Sequence, residues 1–178
     1  MDEHQAEVEW RPYYLRPDMP PDGIELPDYK KRQIEEMKSR LTHMAGAAGL
    51  EIVFATRIPN TRLAHEATEY ARDKGKHFEF HRSVFDRFYG KGDDIGTWHV
   101  LRDISLEVGL DADEMQQEVE SGKYTARVTN MVSEAQEIGV TSVPTYVLNN
   151  RYSIIGAQQY EVFLQALEQI EQEKTDQA

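Results

Sequence analysis

Apolar residues recur along this chain with two different periods. Near the start, Ala6, Val8 and Trp10 alternate with Glu7, Glu9 and Arg11. Period two sends successive side chains to opposite faces, so Glu7–Tyr13 is predicted to be a half-buried strand. Leu15–Pro27 holds Pro17, Pro20, Pro21 and Pro27 with Asp22-Gly23. Proline lacks the amide donor and disfavours helix in its predecessor, which predicts an extended loop. From Asp28 the step changes to three and four. Ile34, Met37, Leu41, Met44 and Ala48 form one helical stripe, with Asp28 as its cap and Gly49 as its stop. Leu50–Ala55 is a short apolar run, readable as a sheet strand or as a crossing segment.

A series of helices follows. Asn60 or Thr61 caps the next one, with Leu63, Ala67, Tyr70 and Ala71 on one face and Gly75 closing it. The helix after it places Phe78, His81, Val84, Phe85 and Phe88 inward and breaks at Gly90 and Gly92. Another runs from about Thr97, with Trp98, Leu101, Ile104 and Val108 inward. Asp111-Ala112-Asp113-Glu114 has the form of a capping box, with Asp111 accepting backbone amides and Glu114 reaching back. That short helix runs through Val119, and the next carries Tyr124, Val128, Val132 and Ala135 to Gly139. Amphipathic helices with short connections predict a small bundle.

The stretch from Gly139 to Gln158 differs in kind. Thr145–Leu148 and Tyr152–Ile155 are apolar, β-branched or aromatic, and Asn149-Asn150 between them suits a two-residue hairpin turn. Pro144 stands just before the first strand, where it costs no ladder donor. Gly156 ends the second strand, and a last helix of about Gln158–Glu173 places Tyr160, Phe163, Leu164, Leu167 and Ile170 on one face.

Composition narrows the function classes. The 178 residues carry a net charge of −12, which argues against a nucleic-acid groove, since phosphate binding needs clustered Lys and Arg. The acidity itself reads as a solvated surface. No apolar run approaches the ~20 residues of a membrane span, and Met1–Gln5 lacks the features of a signal peptide. A cytoplasmic protein is expected. There is no cysteine, so neither a disulfide nor thiol chemistry is available to these residues.

Val143-Pro144-Thr145, a strand, a tight turn, a strand ending in Gly and a helix resemble the C-terminal half of a thioredoxin fold. Asn60-Thr61-Arg62-Leu63-Ala64-His65, Tyr70-Ala71, Gly90 to Ile95 and Gly139-Val140 to Pro144 extend the likeness. Together they resemble the DsbA-like group with a large helical insertion, the FrnE-type dithiol–disulfide oxidoreductases and isomerases. The resemblance covers roughly Val8 to Ile170. It implies an α/β, thioredoxin-like fold in which residues 1–27 and 139–178 form an incomplete sheet part. Residues 28–138 would then supply a helical linker and insertion. It also implies a cis Pro144, with Val143, Pro144 and Thr145 receiving an extended peptide or protein substrate through the free Val143 backbone, much as an added strand would.

The same resemblance implies what is missing. In the family a Cys-x-x-C at the start of the first helix carries the thiolate, stabilised by the helix N-terminus. Val8–Tyr13 resembles the second strand, so the first strand and the active-site helix are expected upstream of Met1. Their absence would leave a gap in the sheet and exposed edges, which favours a homodimer through those edges. Three readings stay open: a truncated oxidoreductase, a thiol-free peptide-binding or scaffold module, and a chain whose missing strand comes from a partner. Each leaves this cysteine-free chain unable to catalyse disulfide exchange, which needs an attacking thiolate.

Other candidates carry less. His77 and His81 have a metal-ligand spacing, but no third ligand is obvious, so no metal and no cofactor is expected. Asn60 is read as a helix cap with His65 packed on that helix. Asp93-Asp94 is read as a turn leading into a helix. Gln158, near the start of the last helix, could meet a ligand carboxylate. Glutathione-dependent isomerases and transferases related to this family use that region, which gives the alternative of a glutathione-binding relative. Phe78, Phe85, Phe88 and Trp98 are read as core.

Overall fold

The computed structural model describes residues 6–176. It divides into two compact units, one of residues up to Leu15 with Met131 onward, the other Arg16–Asn130.

The larger unit opens with a two-residue strand, β1 (Ile24–Glu25), in the proline-rich loop. It pairs antiparallel with β2 (Arg57–Ile58), Ile24 opposite Ile58. Gly23 makes the close approach possible. Its φ is +67°, and a Cβ there would stand 2.4 Å from the Ile58 carbonyl oxygen. Between these strands runs α1 (Asp28–Ala47), 20 residues long. Pro27 occupies the cap position and Asp28 lies in the first turn, so Asp28 is not the cap. The helix is stopped by Gly49, with the Leu50 amide bonded to the Ala45 carbonyl at 2.9 Å. No residue of α1 is buried, so the predicted stripe covers no core. Leu50–Ala55 is the crossing segment of the two readings left open above, since it joins no strand.

The core belongs to the helices α2 (Arg62–Asp73), α3 (His77–Phe85), α4 (Trp98–Glu107), α5 (Ala112–Glu120) and the start of α6 (Thr125–Glu137). Ala67, Tyr70, Phe80, Leu101, Ile104, Met115 and Tyr124 meet there, fully buried. Leu63, Phe88, Trp98 and Val108 pack against them, partly buried. On α3 the predicted face is wrong in part. Phe80 and Val84 are buried, whereas Phe78 and Phe85 are exposed. The nine-residue helix carries aromatic rings at several angles, and the packing surface of α2 and α4 selects Phe80. Of the two glycines predicted to break this helix, Gly90 lies inside a π-helical turn, Asp86–Lys91, and Gly92 ends the run with φ +78°.

Buried charge is paired in this unit. Arg62 Nη1 donates to both Glu66 carboxylate oxygens, at 3.0 and 2.9 Å, and Thr125 Oγ1 adds a third bond at 3.1 Å. Arg72 Nε holds Glu69 at 3.0 Å. The rings of Tyr70 and Tyr124 meet edge to face at 6.3 Å. Tyr70 donates to Glu114 at 2.8 Å, and Tyr124 to Glu118 at 2.8 Å and Asp73 at 3.2 Å. Burial first, then these carboxylate bonds, hold both phenols above their ordinary range. Asp111 caps α5 as predicted, accepting from the Asp113 and Glu114 amides at 2.9 Å. Glu114 does not reach back, because Tyr70 and Lys74 hold its carboxylate.

The smaller unit contains the end of α6, a hairpin of β3 (Thr145–Leu148) and β4 (Tyr152–Ile155), and α7 (Tyr160–Asp176). The hairpin register is Thr145 opposite Ile155 and Leu148 opposite Tyr152. Asn149 and Asn150 turn it with φ of 51° and 54°, the left-handed pair that a type I′ turn requires. One hairpin face packs on α7, with the Tyr146 and Phe163 rings 4.7 Å apart and Tyr152 bonded to Glu173 at 2.6 Å. Along α7 Ile170 is buried, whereas Tyr160 is exposed.

The strand predicted for Glu7–Tyr13 is not formed. Residues 6–14 are in no ladder, and Val8 and Trp10 are exposed. A strand needs a ladder partner, and among the described residues this segment joins no ladder; its Arg11 and Tyr13 side chains bond Glu134 and Val140 instead. No described helix is long and apolar enough to cross a membrane.

Candidate functional site

The site predicted from the sequence lies between α6 and the hairpin. After α6, Gly139 takes φ +84° and the Val140 amide returns to the Ala135 carbonyl at 2.9 Å, which ends the helix and redirects the chain. Tyr13 donates to the Val140 carbonyl at 2.9 Å. Arg11 Nη1 bonds Glu134 at 2.8 Å, so residues 11 and 13 both tie to this corner.

Next comes the Val143–Pro144 peptide, which is cis. Two bonds fix the loop around it. Thr145 Oγ1 donates to the Ser142 carbonyl at 2.7 Å, and the Gly156 amide donates to the Pro144 carbonyl at 2.8 Å. The loop is thereby tied both to itself and to the far end of the hairpin. Val143 is left open. Among the described residues, neither its amide nor its carbonyl takes part in a hydrogen bond, and the residue is 47% exposed. The hairpin face away from Tyr146 and Ile154 carries Thr145, Val147, Ser153 and Ile155, of which Val147 and Ile155 are exposed apolar residues. Among the described residues each strand of this two-stranded sheet keeps one edge unpaired.

Gln158 stands two residues before α7, where its Nε2 donates to the Ile155 carbonyl at 2.9 Å. Asn60 and His65 belong to the other unit. Thr61, not Asn60, occupies the cap position of α2; Asn60, one residue earlier, accepts from the Arg62 amide through Oδ1 at 2.9 Å, and its Nδ2 donates to the Met19 and Pro20 carbonyls, which pins the proline loop. His65 sits beside His81. Burial, then the charge of the other ring, pushes His65 down to about 4. Burial, then His77 and Arg72, does the same to His81. His81 also stacks on His77 at 5.9 Å, and Arg72 Nη2 lies 2.9 Å from His77 Nε2. Among the described residues no three His, Cys, Asp or Glu side chains are grouped to hold a metal. Asp94 Oδ1 accepts from the Gly96 amide at 2.9 Å and Asp93 faces Arg87, so both serve the turn before α4.

The chemistry open to this site is that of backbone and shape. It has a free amide and carbonyl at Val143, exposed strand edges and an apolar face. No thiol is present anywhere in the chain to attack a disulfide. The anchoring of Val140 by Tyr13 joins residues 127 positions apart and leaves no local signal in the sequence.

The likeness to known proteins covers nearly the whole chain. Residues 2–168 match the DSBA-like thioredoxin domain family. The chain is 30% identical over 172 residues to the protein YwbO of Bacillus subtilis (strain 168), covering 95% of this chain and 84% of that one. A probable DsbA oxidoreductase of Streptomyces coelicolor, SCO1869, superposes with a TM-score of 0.82 at 25% identity, covering 89% of this chain and 73% of that one. A 2-hydroxychromene-2-carboxylate isomerase shares the fold, with a TM-score of 0.70 at 20% identity over 86% of this chain and 75% of its own. With its proline loop, hairpin and closing helix placed as described, the chain belongs to the DsbA-like thioredoxin-domain family.

Proposed function

We propose that this chain is the substrate-holding body of a DsbA-like, FrnE-type disulfide oxidoreductase or isomerase. The Val143–Thr145 loop receives an extended polypeptide. The observation that carries the reading is the free backbone of Val143, beside a hairpin with unpaired edges. An extended peptide offers the complementary amide and carbonyl, and main-chain pairing of this kind is indifferent to most side chains. Val147 and Ile155 give such a peptide apolar surface to cover. The attacking thiolate of the family is not among these 178 residues, so the chain in this role holds a segment and leaves its disulfides unchanged.

The test is a titration of the chain with a labelled, unfolded, cysteine-free peptide, read by fluorescence anisotropy. Binding should weaken at least about tenfold, or about 1.4 kcal/mol, when the central peptide residue is N-methylated, because the methyl group removes a donor and blocks the approach. Equal binding of the two peptides would sink this reading.

A further inference from the structure

None of the 20 residues of α1 in the larger unit is buried, so the described residues leave its apolar stripe largely uncovered. Ile34, Met37, Leu41, Met44 and Ala48 are spaced three, four, three and four. That is the a/d spacing of a coiled-coil seam, narrower than the stripe a helix turns to a globular core. Met37 and Met44 are both exposed, and Ile34 and Leu41 are only partly covered.

The borders of the seam have one sign. At helical spacing Lys31 and Lys38 run along one border, and Gln33 and Arg40 along the other. The acids Asp28, Glu35 and Glu36 fall on the far half of the helix. Lys31 and Lys38 reach Asp28 and Glu35 at 3.3 and 3.4 Å, but all four side chains are at least half exposed. Ion pairs so exposed contribute little and are easily exchanged for others.

We propose that α1 is a docking surface for an acidic amphipathic helix of a partner protein, paired along Ile34, Met37, Leu41 and Met44. Glutamates at the partner's border positions would meet Lys31, Lys38 and Arg40. A second copy fits less well, because parallel or antiparallel self-pairing offers this basic border only basic or neutral residues. An anionic membrane also fits less well. The seam is narrow and carries no aromatic residue, and a chain of net charge −12 is repelled by such a surface.

The test uses a labelled three-heptad peptide with Ile at a, Leu at d and Glu at e and g, and a counterpart with Lys at e and g. Anisotropy should show the Glu peptide bound at least about tenfold more tightly than the Lys peptide. Leu41→Asp should abolish binding while leaving helix content by circular dichroism intact, because Leu41 supports no core. Lys38→Glu with Arg40→Glu should reverse the preference. Equal binding of both peptides, or indifference to Leu41→Asp, overturns the proposal. So does a dimer of the chain that Leu41→Asp dissociates, or capture by phosphatidylserine vesicles that Leu41→Asp abolishes.

Discussion

The phenol of Tyr13 donates a 2.9 Å hydrogen bond to the carbonyl of Val140, four residues before the cis Val143–Pro144 peptide ends. This bond ties a segment that forms no strand to the turn from which the proline loop leaves α6. Tyr13→Phe keeps the ring and removes the donor. Loss of about 1 kcal/mol of stability is expected by urea denaturation, the ordinary net worth of one such bond. Amide exchange through Val140–Val143 should quicken at the same time, whereas exchange in α2 and α4 should not change.

Arg62 is the main partner of Glu66, whose side chain is 1% exposed. With Arg62→Ala, among the described residues only the Thr125 hydroxyl remains to bond that carboxylate. Breaking a buried pair strands a charge, although the half-exposed Arg62 puts this case at the lower end, about 2 kcal/mol. The double variant Arg62→Ala/Glu66→Leu should regain most of the loss. A urea midpoint for the double variant no higher than for Arg62→Ala would show that the pair is not the source of the cost.

Ser105 presents the opposite case. It lies fully buried in α4, and among the described residues its hydroxyl has no hydrogen-bond partner. Ser105→Ala removes an uncompensated polar group and improves helix propensity, so a gain of about 1 kcal/mol is expected in the thermal or urea transition. A loss of stability would reveal a partner for that hydroxyl.

The histidine pair gives a pH signature. His65 and His81 both titrate near 4 in the folded chain, below the ordinary 6.5. Between these values the unfolded chain binds more protons than the folded one. Stability from keeping the rings neutral is present above about pH 6.5 and is lost as pH falls towards 4. Chemical denaturation from pH 7 to pH 5 should therefore show a falling midpoint. His65→Gln should flatten that fall. Carboxylates held below their ordinary range by bonds to cations and phenols, such as Asp73 and Glu118, also lose stabilisation as pH falls towards that range, so the difference between the parent chain and His65→Gln isolates the histidine part.

What the sequence made legible was local. The Asn149-Asn150 turn, the Gly49 and Gly139 helix stops and the Asp111 cap each depend on a few neighbouring residues, and each appears where expected. Non-local choices were not legible. Alternation in residues 6–11 describes which side chains share a face but says nothing of a strand partner, and among the described residues the segment joins no ladder. Phe78, Phe80 and Phe85 have nearly equal claims on burial by hydrophobicity, and packing chose Phe80. The β1–β2 pair depends on Gly23 approaching Ile58 across 35 positions, inside a loop that its prolines mark only as irregular. For the candidate site, Val143–Thr145 and an open Val143 backbone follow from the family resemblance, whereas the bonds that fix the loop around it, Thr145 to Ser142 and Gly156 to Pro144, could not be read from the sequence.

The central claim is that the Val143 backbone receives an extended chain. Hydrogen exchange of the backbone amides, followed by NMR with and without a saturating cysteine-free peptide, tests it directly. The account predicts that the Val143 amide, unbonded in the structure, becomes protected about tenfold or more when peptide is present, and that the N-methylated peptide leaves it unprotected. Peptide binding that leaves the Val143 amide as fast as before would contradict it.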